Sequence, residues 1–391
     1  MEIRQIGTDE RGTTSTPVEA YAFQPSPDPG AARALRDAQR YPAGDITLAV
    51  EEDGAVVATA AGIPMRQNLR GTVYPMAGIA MVATLPLARR KGYARALVTG
   101  LLGRMRDEGH VVSALYPFRP SFYQRFGFVG LPKNRTATLA PAELAGPEPA
   151  GDLSCERVGT GYPAFRALSL RLLGERHGFA VLPDYRATRL ADRDEHWLVT
   201  ARVDGEPVGA ATYRITRFGG DLVADTFLAT GPVGRTLLLR YFARHVDQVA
   251  RVLLPVAADD TPELWGTDLA AVVELRVGYP DAAAPMARVL SLDGLVGLPV
   301  GPGLVAVEVV DDPFVAGRYV LDGRAGGLAV APAAGRLPAA TLTVPGLSGL
   351  VYGVLDPEDV VLRGLGTVPA GAAGELRTLF PRRTPYLFAG F

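Results

Sequence analysis

Residues 79–94 read IAMVATLPLARRKGYA, and residues 95–109 continue as RALVTGLLGRMRDEG. The first segment is apolar and strand-like up to Pro86. The second carries apolar residues at helical spacing and ends at Gly109, a residue that commonly caps helices. A strand that leads within a few residues into a helix predicts an α/β unit, and the helix begins in the basic turn RRKGYA at 89–94.

The start of this helix is a candidate anion-binding site. The first four N–H groups of a helix have no intrahelical partner, and the helix dipole places about half a positive charge there. Gly92 and Ala94 leave room for a phosphate beside the backbone, and Arg89, Arg90 and Lys91 add charge. The turn therefore predicts a pyrophosphate site, and the alternative is an ordinary basic helix start.

Composition limits the classes of protein to consider. The chain has 391 residues, of which 48% are hydrophobic, so it is long enough for two or three domains with their own cores. Lys and Arg number 40 against 41 Asp and Glu, and this balance argues against a general binder of nucleic acid or membrane surfaces.

Metal sites, disulfides and membrane segments are not expected. Cys155 is the one cysteine, which excludes an internal disulfide, and no Cys/His cluster has metal-ligand spacing. The N-terminus has no apolar signal core, and no run of about 18 apolar residues occurs. We therefore expect a cytoplasmic protein that neither binds a metal nor enters a membrane.

Residues 1–140 are predicted to form the first α/β domain. The strand at 78–84 precedes the basic turn, and a strand at 111–116 is expected as its parallel neighbour after the helix. An Asp-Gly turn at 53–54 predicts a hairpin. The remaining predicted elements are strands at 2–6, 46–52, 55–61 and 134–139 and helices at 30–41 and 119–126.

A linker rich in Pro, Ala, Gly and acidic residues at 141–152 leads into a partial repeat of this pattern over 153–285. The repeat again has two strands around an Asp-Gly turn, followed by a strand and a helix. Its helix start, GPVGR at 231–235, does not fit the basic template. The repeat therefore predicts a similar fold without a competent phosphate site, with strands at 197–203, 207–212 and 222–228 and a helix at 233–252.

Residues 286–391 gather short strands before helices, which suggests an α+β domain. The chain then ends in FPRRTPYLFAGF at 380–391. Four apolar residues here would gain about 1.5–3 kcal/mol each on burial, which favours docking of the final residues. The predicted elements are strands at 303–310, 317–321, 327–331 and 339–344 and helices at 346–352 and 357–361, and the apolar residues of the tail are Tyr386, Leu387, Phe388 and Phe391.

The pattern Arg89-x-x-Gly92-x-Ala94 after a strand resembles the acetyl-CoA signature, [QR]-x-x-G-x-[GA], of the GCN5-related N-acetyltransferases. The order of strands and helices matches that fold, in which the two strands beside the phosphate helix splay apart. The resemblance implies acetyl-CoA binding, with no metal, by the pantetheine-contacting residues Val82, Ala83 and Thr84, by the pyrophosphate-contacting residues Arg89, Arg90, Lys91, Gly92, Tyr93, Ala94 and Arg95, and by Phe118 and Arg119.

Tyr123 lies in FYQRFGF at 122–128, which resembles the segment that carries the general acid in the Eis family (enhanced intracellular survival acetyltransferases). A phenol has an ordinary pKa near 10, so Tyr123 is protonated at neutral pH and can supply a proton to a departing thiolate. The alternative is a tyrosine that only packs among phenylalanines in the core.

Eis-family proteins have an active acetyltransferase domain, a degenerate one and a sterol-carrier-like domain, and they form hexamers. In that family the terminal carboxylate acts as general base, and the matching group here is Phe391. Its ordinary pKa near 3.5 makes it a weak base, so we expect burial to raise it, or the carboxylate to work through water or by orienting the amine. The alternative is a tail anchored only for packing.

These features predict an α/β (α+β) protein with tandem acetyltransferase folds, the second degenerate, and a sterol-carrier-like domain at 286–391. The predicted function is acetyl-CoA-dependent transfer to primary amines of small molecules or peptides, including aminoglycosides or lysine side chains. An acidic acceptor site is in doubt, because residues 24–27 and Gly390 offer no acid; Asp28, Asp37 and Asp45 remain as sources of charge. The alternative function is a lipid carrier or interaction protein that uses the acetyltransferase folds as a scaffold or acetyl-CoA sensor.

Overall fold

The computed structural model describes residues 2–192, 195–335 and 337–391. The chain divides into two compact units. Unit 1 combines Met1–Leu131, His177–Arg186 and Tyr279–Phe391, whereas unit 2 combines Pro132–Arg176 and Ala187–Gly278. Both ends of the chain therefore belong to the same unit.

The strands in chain order are β1 (Glu2–Ile6), β2 (Ile46–Glu52), β3 (Ala55–Leu69), β4 (Thr72–Thr84), β5 (Val112–Leu115), β6 (Val129–Gly130), β7 (Arg135–Leu139), β8 (Asp152–Arg157), β9 (Ala180–Val181), β10 (Trp197–Val203), β11 (Glu206–Ile215), β12 (Asp221–Ala229), β13 (Arg251–Val256), β14 (Ala271–Glu274), β15 (Met286–Val289), β16 (Leu304–Val310), β17 (Gly317–Asp322), β18 (Ala329–Pro332), β19 (Ala340–Thr343) and β20 (Gly366–Thr367). The α-helices are α1 (Ser15–Phe23), α2 (Pro29–Asp37), α3 (Tyr93–Asp107), α4 (Pro120–Gln124), α5 (Val158–Glu175), α6 (Asp184–Ala191), α7 (Pro232–Ala243), α8 (Val344–Val351), α9 (Pro357–Leu362) and α10 (Ala370–Leu379).

The first sheet of unit 1 has the order β1-β2-β3-β4-β5-β15-β6, and β9 pairs with β3. The central pair, β4 and β5, is parallel, as the sequence predicts, and its register runs from Met76 opposite Val112 to Ile79 opposite Leu115. Beyond Ile79, β4 continues to Thr84 paired with β3 on its other side. This mixed sheet, with helix α3 packed on it, therefore opens at the carboxyl end of its one parallel pair among the described strands.

Alternation of side chains separates the two faces of this sheet. Ala58, Ala60, Ala77 and Ile79 pack against the apolar side of α3. The opposite face carries Met76 and Ala80 and packs into a core that continues into the C-terminal part of the unit. A second, five-stranded sheet lies in that part, in the order β18-β17-β16-β19-β20.

The structure corrects three sequence expectations in unit 1. The strand at 134–139 exists as β7, but it pairs with β13 and β14 of unit 2 rather than closing the first sheet. That place is taken by β15, which lies between β5 and β6. Helices α1 and α10 are not predicted, because the buried face of α1 includes Ser15, Thr16 and Glu19 instead of an apolar stripe, and α10 is rich in Gly and Ala.

Unit 2 holds a seven-stranded sheet in the order β14-β7-β13-β12-β11-β10-β8. The predicted hairpin is present as β10 and β11, and α7 follows β12. The predicted helix at 233–252 is too long, since α7 ends at Ala243 and β13 begins at Arg251. The division of the chain into domains at 140, 152 and 285 stays a prediction.

Candidate active site

The start of α3 is an open cradle of backbone N–H groups. Its N-cap is Gly92, whose φ of +87° is in the left-handed region that favours glycine, and no side chain caps the helix. A Cβ placed on Gly92 would meet nothing within 4 Å, so the space above the first turn is empty of protein. Arg90 also has a positive φ, of 65°. The turn therefore presents unsatisfied donors to an open surface, as an anion site requires.

The basic side chains around the first turn of α3 differ in whether they already have a hydrogen-bond partner. The Lys91 ammonium lies 3.0 Å from both carboxylate oxygens of Glu52 at the end of β2, and the Tyr93 hydroxyl donates to the same carboxylate. The Arg89 Nε donates to the Thr84 carbonyl at 3.2 Å. Within the described residues, the side chains of Arg90 and Arg95 make no hydrogen bond or ion pair. Two guanidinium groups are thus available for a phosphate.

The far end of β4 supplies a free backbone edge. Ala83 and Thr84 pair with β3 on one side, and Val82 lies beside them at a shift in the register. Within the described residues no strand pairs with these three residues on the other side. An extended chain such as pantetheine can bond to such an edge as an added strand. Met81, with a φ of 51°, marks an irregularity in the register just before this edge.

The predicted general acid lies on α4, directly after β5. Tyr123 is 4% exposed and packs in the same core as Leu97 and Leu101 of α3. Rings of phenylalanine surround it, and within the described residues its hydroxyl has no hydrogen-bond partner. Burial raises the pKa of Tyr123 above its ordinary value, so the phenol stays protonated at neutral pH. The neighbouring rings are Phe118, Phe122, Phe126 and Phe128, with ring centroids 5.0–6.5 Å from that of Tyr123.

Phe118 and Arg119 precede α4. Phe118 is 48% exposed, and its ring centroid lies 5.6 Å from that of Tyr123. Arg119 is the N-cap of α4 in an extended conformation, and its carbonyl accepts from the Phe122 N–H at 3.1 Å. Phe118 is therefore beside the candidate acid and accessible, whereas Arg119 shapes the start of the helix.

The C-terminal tail docks against the opening of the sheet, as the sequence predicts. The Phe391 ring meets that of Tyr116 edge-on with centroids 5.6 Å apart, and the Tyr116 hydroxyl donates to the Ala389 carbonyl at 3.1 Å. Gly78 has no Cβ, and one placed there would come within 3.2 Å of the Phe391 ring. The last residue thus lies on β4 at the level where β5 ends.

Buried hydrogen bonds fix the tail further back. Tyr386 N–H donates to the His177 carbonyl, and the Phe388 ring stacks on Phe179 with centroids 4.8 Å apart. Arg70, 5% exposed, donates to the carbonyls of Val351, Leu350 and Pro381. Burial lowers the pKa of Arg70 to about 10, which leaves it charged at neutral pH. The tail is therefore held along its length rather than frayed.

Tyr123 and Phe391 approach the opening from opposite faces of the sheet. Tyr123 belongs to the core on the α3 side, whereas Phe391 packs against the core on the other side. Tyr123 lies on α4, which follows β5 in the chain, and the Phe391 ring contacts Tyr116, the residue directly after β5. A ligand threaded between β4 and β5 would pass between the two residues.

Of the three acids considered for an acceptor site, Asp45 and Asp28 are otherwise engaged, whereas Asp37 at the end of α2 makes no side-chain hydrogen bond to the described residues. Asp45 is 5% exposed and paired bidentately with Arg186, and it accepts from the Tyr185 hydroxyl. Asp28 caps α2 by accepting from Gly30 and Ala31. Sequence inspection missed Glu19, a 5% exposed carboxyl on α1, because a single acid in a helix gives no signal of burial.

The residues present fit acetyl-CoA. The edge at Val82–Thr84 fits the pantetheine of that molecule, and the open first turn of α3 fits its diphosphate together with Arg90 and Arg95, which have no partner among the described residues. Within the described residues no group of three or more His, Cys, Asp or Glu is arranged to hold a metal ion. No described helix is long and apolar enough to span a membrane.

Comparison with known families agrees with this geometry. Residues 4–130 match a family profile described as an acetyltransferase (GNAT) domain. Residues 4–130 are a GNAT acetyltransferase domain. This segment contains the cradle, the free edge of β4 and Tyr123, so the chain carries an acetyltransferase fold with its cofactor-side elements in place.

Two curated relatives and one solved structure extend the comparison. The N-acetyltransferase Eis of Mycobacterium tuberculosis is 36% identical over 92 residues, which are 20% of this chain and 23% of the relative. An uncharacterized N-acetyltransferase of Streptomyces coelicolor is 26% identical over 303 residues, which are 71% and 72% of the two chains. The crystal structure of Eis1 from Mycobacterium abscessus covers 100% of both chains with a TM-score of 0.79 at 18% identity. The match to the Eis relative thus spans under a quarter of its length, and the likeness to Eis1 is one of fold.

Proposed function

We propose that this protein is an acetyl-CoA-dependent N-acetyltransferase for primary amines that transfers the acetyl group directly from thioester to amine. The observation that carries the proposal is the docking of Phe391 over Gly78, where the parallel pair β4 and β5 ends. A candidate acid, Tyr123, lies on the helix that leaves the same strand end. An acid and a terminal carboxylate near one opening are the groups that amine acylation needs.

The proton balance assigns each group one task. The acceptor arrives as an ammonium and must lose a proton before its nitrogen can attack, and we assign that proton to the Phe391 carboxylate, directly or through water. The new C–N bond forms, the C–S bond breaks, and the departing thiolate takes the proton of the Tyr123 hydroxyl. The second proton of the attacking nitrogen, released as the amide forms, returns through water to the tyrosinate and restores the phenol. Burial holds that hydroxyl in its protonated form, which supports this role.

The binding of acetyl-CoA is assigned to residues that are free to make it. The amides of the first turn of α3 and the guanidinium groups of Arg90 and Arg95 would hold the diphosphate, and the edge at Val82–Thr84 would hold the pantetheine. Arg89, Lys91 and Tyr93 shape the turn through Thr84 and Glu52. Acceptors of small-molecule or peptide type, including aminoglycosides and lysine side chains, a homohexamer, a cytoplasmic location and a sterol-carrier-like C-terminal domain stay predictions.

Extending the C-terminus by one alanine tests the proposal, because it moves the carboxylate by about 3.5 Å while leaving the Phe391 ring free to dock. We expect turnover with a primary amine to fall about 10²-fold and the affinity for acetyl-CoA, measured by calorimetry, to hold. An N-terminal alanine extension is the control. Full turnover by the extended protein would reject the carboxylate as base, and absence of acetyl-CoA binding in the native protein would reject the enzyme.

A further inference from the structure

The helix that carries Tyr123 has little stability of its own. Helix α4 has five residues, too few to be stable without outside support. Its end is a tight turn in which the Tyr123 carbonyl accepts from the N–H groups of Phe126 at 2.9 Å and Phe128 at 3.4 Å. Gly127, between them, has a φ of +88°. The position of Tyr123 therefore depends on what holds this turn.

A guanidinium from the C-terminal part of the chain holds it. Arg288 on β15 is 1% exposed, and its Nη1 donates to the Phe126 carbonyl, while its Nε donates to the Val289 carbonyl at 3.0 Å. A Cβ placed on Gly127 would lie 2.9 Å from both Cζ and Nη1 of Arg288, so the guanidinium lies directly against the turn. Arg288 lies 162 positions away in the sequence from Phe126, whose carbonyl it binds.

The guanidinium is fixed in turn by a buried carboxylate. Asp312 lies 3.1 Å from Nη2 and 3.0 Å from Nη1 of Arg288, and its side chain is 4% exposed. The Asp312 carboxylate also accepts from the N–H groups of Phe314 and Val315 at 2.9 and 3.0 Å. A planar fork held by two oxygens has one orientation, which is a property that lysine cannot supply.

Stability alone does not explain such a pair. Buried ion pairs are often no more stabilising than well-packed apolar residues of similar volume, because desolvation offsets the attraction between the charges. What this pair adds is a fixed direction for a donor aimed at the Phe126 carbonyl. The pair lies outside residues 4–130, so the acetyltransferase domain depends on the C-terminal part of unit 1 for the geometry of its acid.

We propose that Arg288, oriented by Asp312, is a positioning residue for Tyr123, and that it acts by locking the turn at Phe126–Phe128. The inference rests on the proposed role of Tyr123 as the acid. A positioning residue affects the chemical step through the group it positions, so its loss should lower kcat while leaving the binding of both substrates intact.

Arg288→Lys tests this, because it keeps the charge and removes the fork. We expect kcat to fall about 10- to 100-fold, with KM for the amine and the affinity for acetyl-CoA within about twofold. In a Tyr123→Phe background, the same substitution should have no further effect on kcat. Losses that multiply in the double variant, or an unchanged kcat in the single one, would overturn the proposal.

Two further measurements keep the test decisive. Asp312→Asn serves if Arg288→Lys fails to fold, and it should show the same non-additivity with a smaller loss, about 3- to 10-fold. Arg135→Lys is the matched control, since Arg135 also donates to carbonyls, those of Ala257 and Asp260, but in unit 2. It should leave kcat unchanged.

Amide hydrogen exchange separates this inference from the function itself. Exchange at Phe126–Phe128 should become at least about 10-fold faster in Arg288→Lys and stay unchanged in Arg135→Lys. This readout requires no substrate, so it remains valid even if no amine is acetylated by the native protein. Unchanged exchange in the Arg288 variant would overturn the positioning role whatever the activity.

Discussion

The starts of α3 and α7 occupy equivalent places in the two units and differ in the groups that they offer to a ligand. Each helix follows a hairpin and a strand, and in each unit the parallel pair is short: β12 meets β13 over Asp221–Val223 alone. A Cβ placed on either N-cap residue, Gly92 or Gly231, would meet nothing within 4 Å, but a Cβ on Gly234 in the first turn of α7 would lie 2.1 Å from the Val208 carbonyl oxygen. Helix α7 is packed backbone to backbone on β11.

The two helix starts also differ in the N–H donors and the arginine side chains that they present. Pro232 stands at the first position of α7 and removes one N–H donor, and Arg235 lies over the Trp265 ring at 5.2 Å rather than toward open space. The start of α3 keeps its donors, and Arg90 and Arg95 remain unpaired among the described residues. A shared strand and helix order is therefore compatible with one helix start that keeps its donors and cations available and one that does not.

The largest expected effect concerns the acid. Tyr123→Phe should lower kcat by about 10²-fold or more while the affinity for acetyl-CoA holds, because only the proton donor is removed. In unit 2, Tyr241→Phe on α7 is the matched change and should leave kcat unaltered. Steady-state kinetics with a primary amine measures kcat, and calorimetry measures the affinity for acetyl-CoA. An equal loss of kcat in the two variants would contradict the difference between the units.

The cradle gives the next effect. Arg90→Ala and Arg95→Ala should each weaken acetyl-CoA binding about 10- to 100-fold, since a hydrogen bond to a charged group contributes about 1.5–3 kcal/mol. Arg235→Ala at the start of α7 should not change the affinity. Calorimetry of the native chain should find one acetyl-CoA per chain; two sites per chain would contradict the difference between the two helix starts.

The smallest effect is a pH-dependent change in stability. Burial raises the pKa of Glu19, opposed by the Ser15 hydroxyl and the Arg11 charge, with Arg186 and Asp45 also nearby. The ionised carboxyl therefore destabilises the fold above the raised pKa, and this cost disappears below the ordinary value of about 4.3. Glu19→Gln should raise the Tm at pH 7 and leave it unchanged near pH 4.

The Asp221 carboxyl in unit 2 is expected to have the opposite effect on stability at pH 7, because its pKa is lowered rather than raised. Arg251 lowers the pKa of that carboxyl, so its contribution to stability is present at pH 7 and is lost as the pH falls through the lowered pKa. Asp221→Asn should leave the Tm at pH 7 unchanged or slightly lower, because the pair is exposed and screened by solvent. Scanning calorimetry at pH 4 and pH 7 compares the two variants, and the same sign for both would refute the assignment.

Much of the fold follows from local pattern. The strands β1 and β2 begin and end where the sequence predicts, the basic turn opens α3 at Gly92, and the apolar tail docks. These features depend on short-range preferences: alternation in strands, helical spacing, glycine at a positive φ and the gain from burying aromatic rings. The anion site at 89–94 follows from the same reasoning, whereas the candidate role of Tyr123 depends on the resemblance of residues 122–128 to a known family.

Other features depend on pairings between distant segments. The sequence does not show that β15 enters the first sheet between β5 and β6, that Arg288 reaches the Phe126 carbonyl, or that Glu52 holds Lys91 and Tyr93. Local periodicity tells which face of a strand is apolar but not which strand becomes its neighbour, since register and strand order are decided by packing of the whole core. The sequence alone therefore predicts which residues are candidates to bind and react, and the tertiary structure decided how they are held.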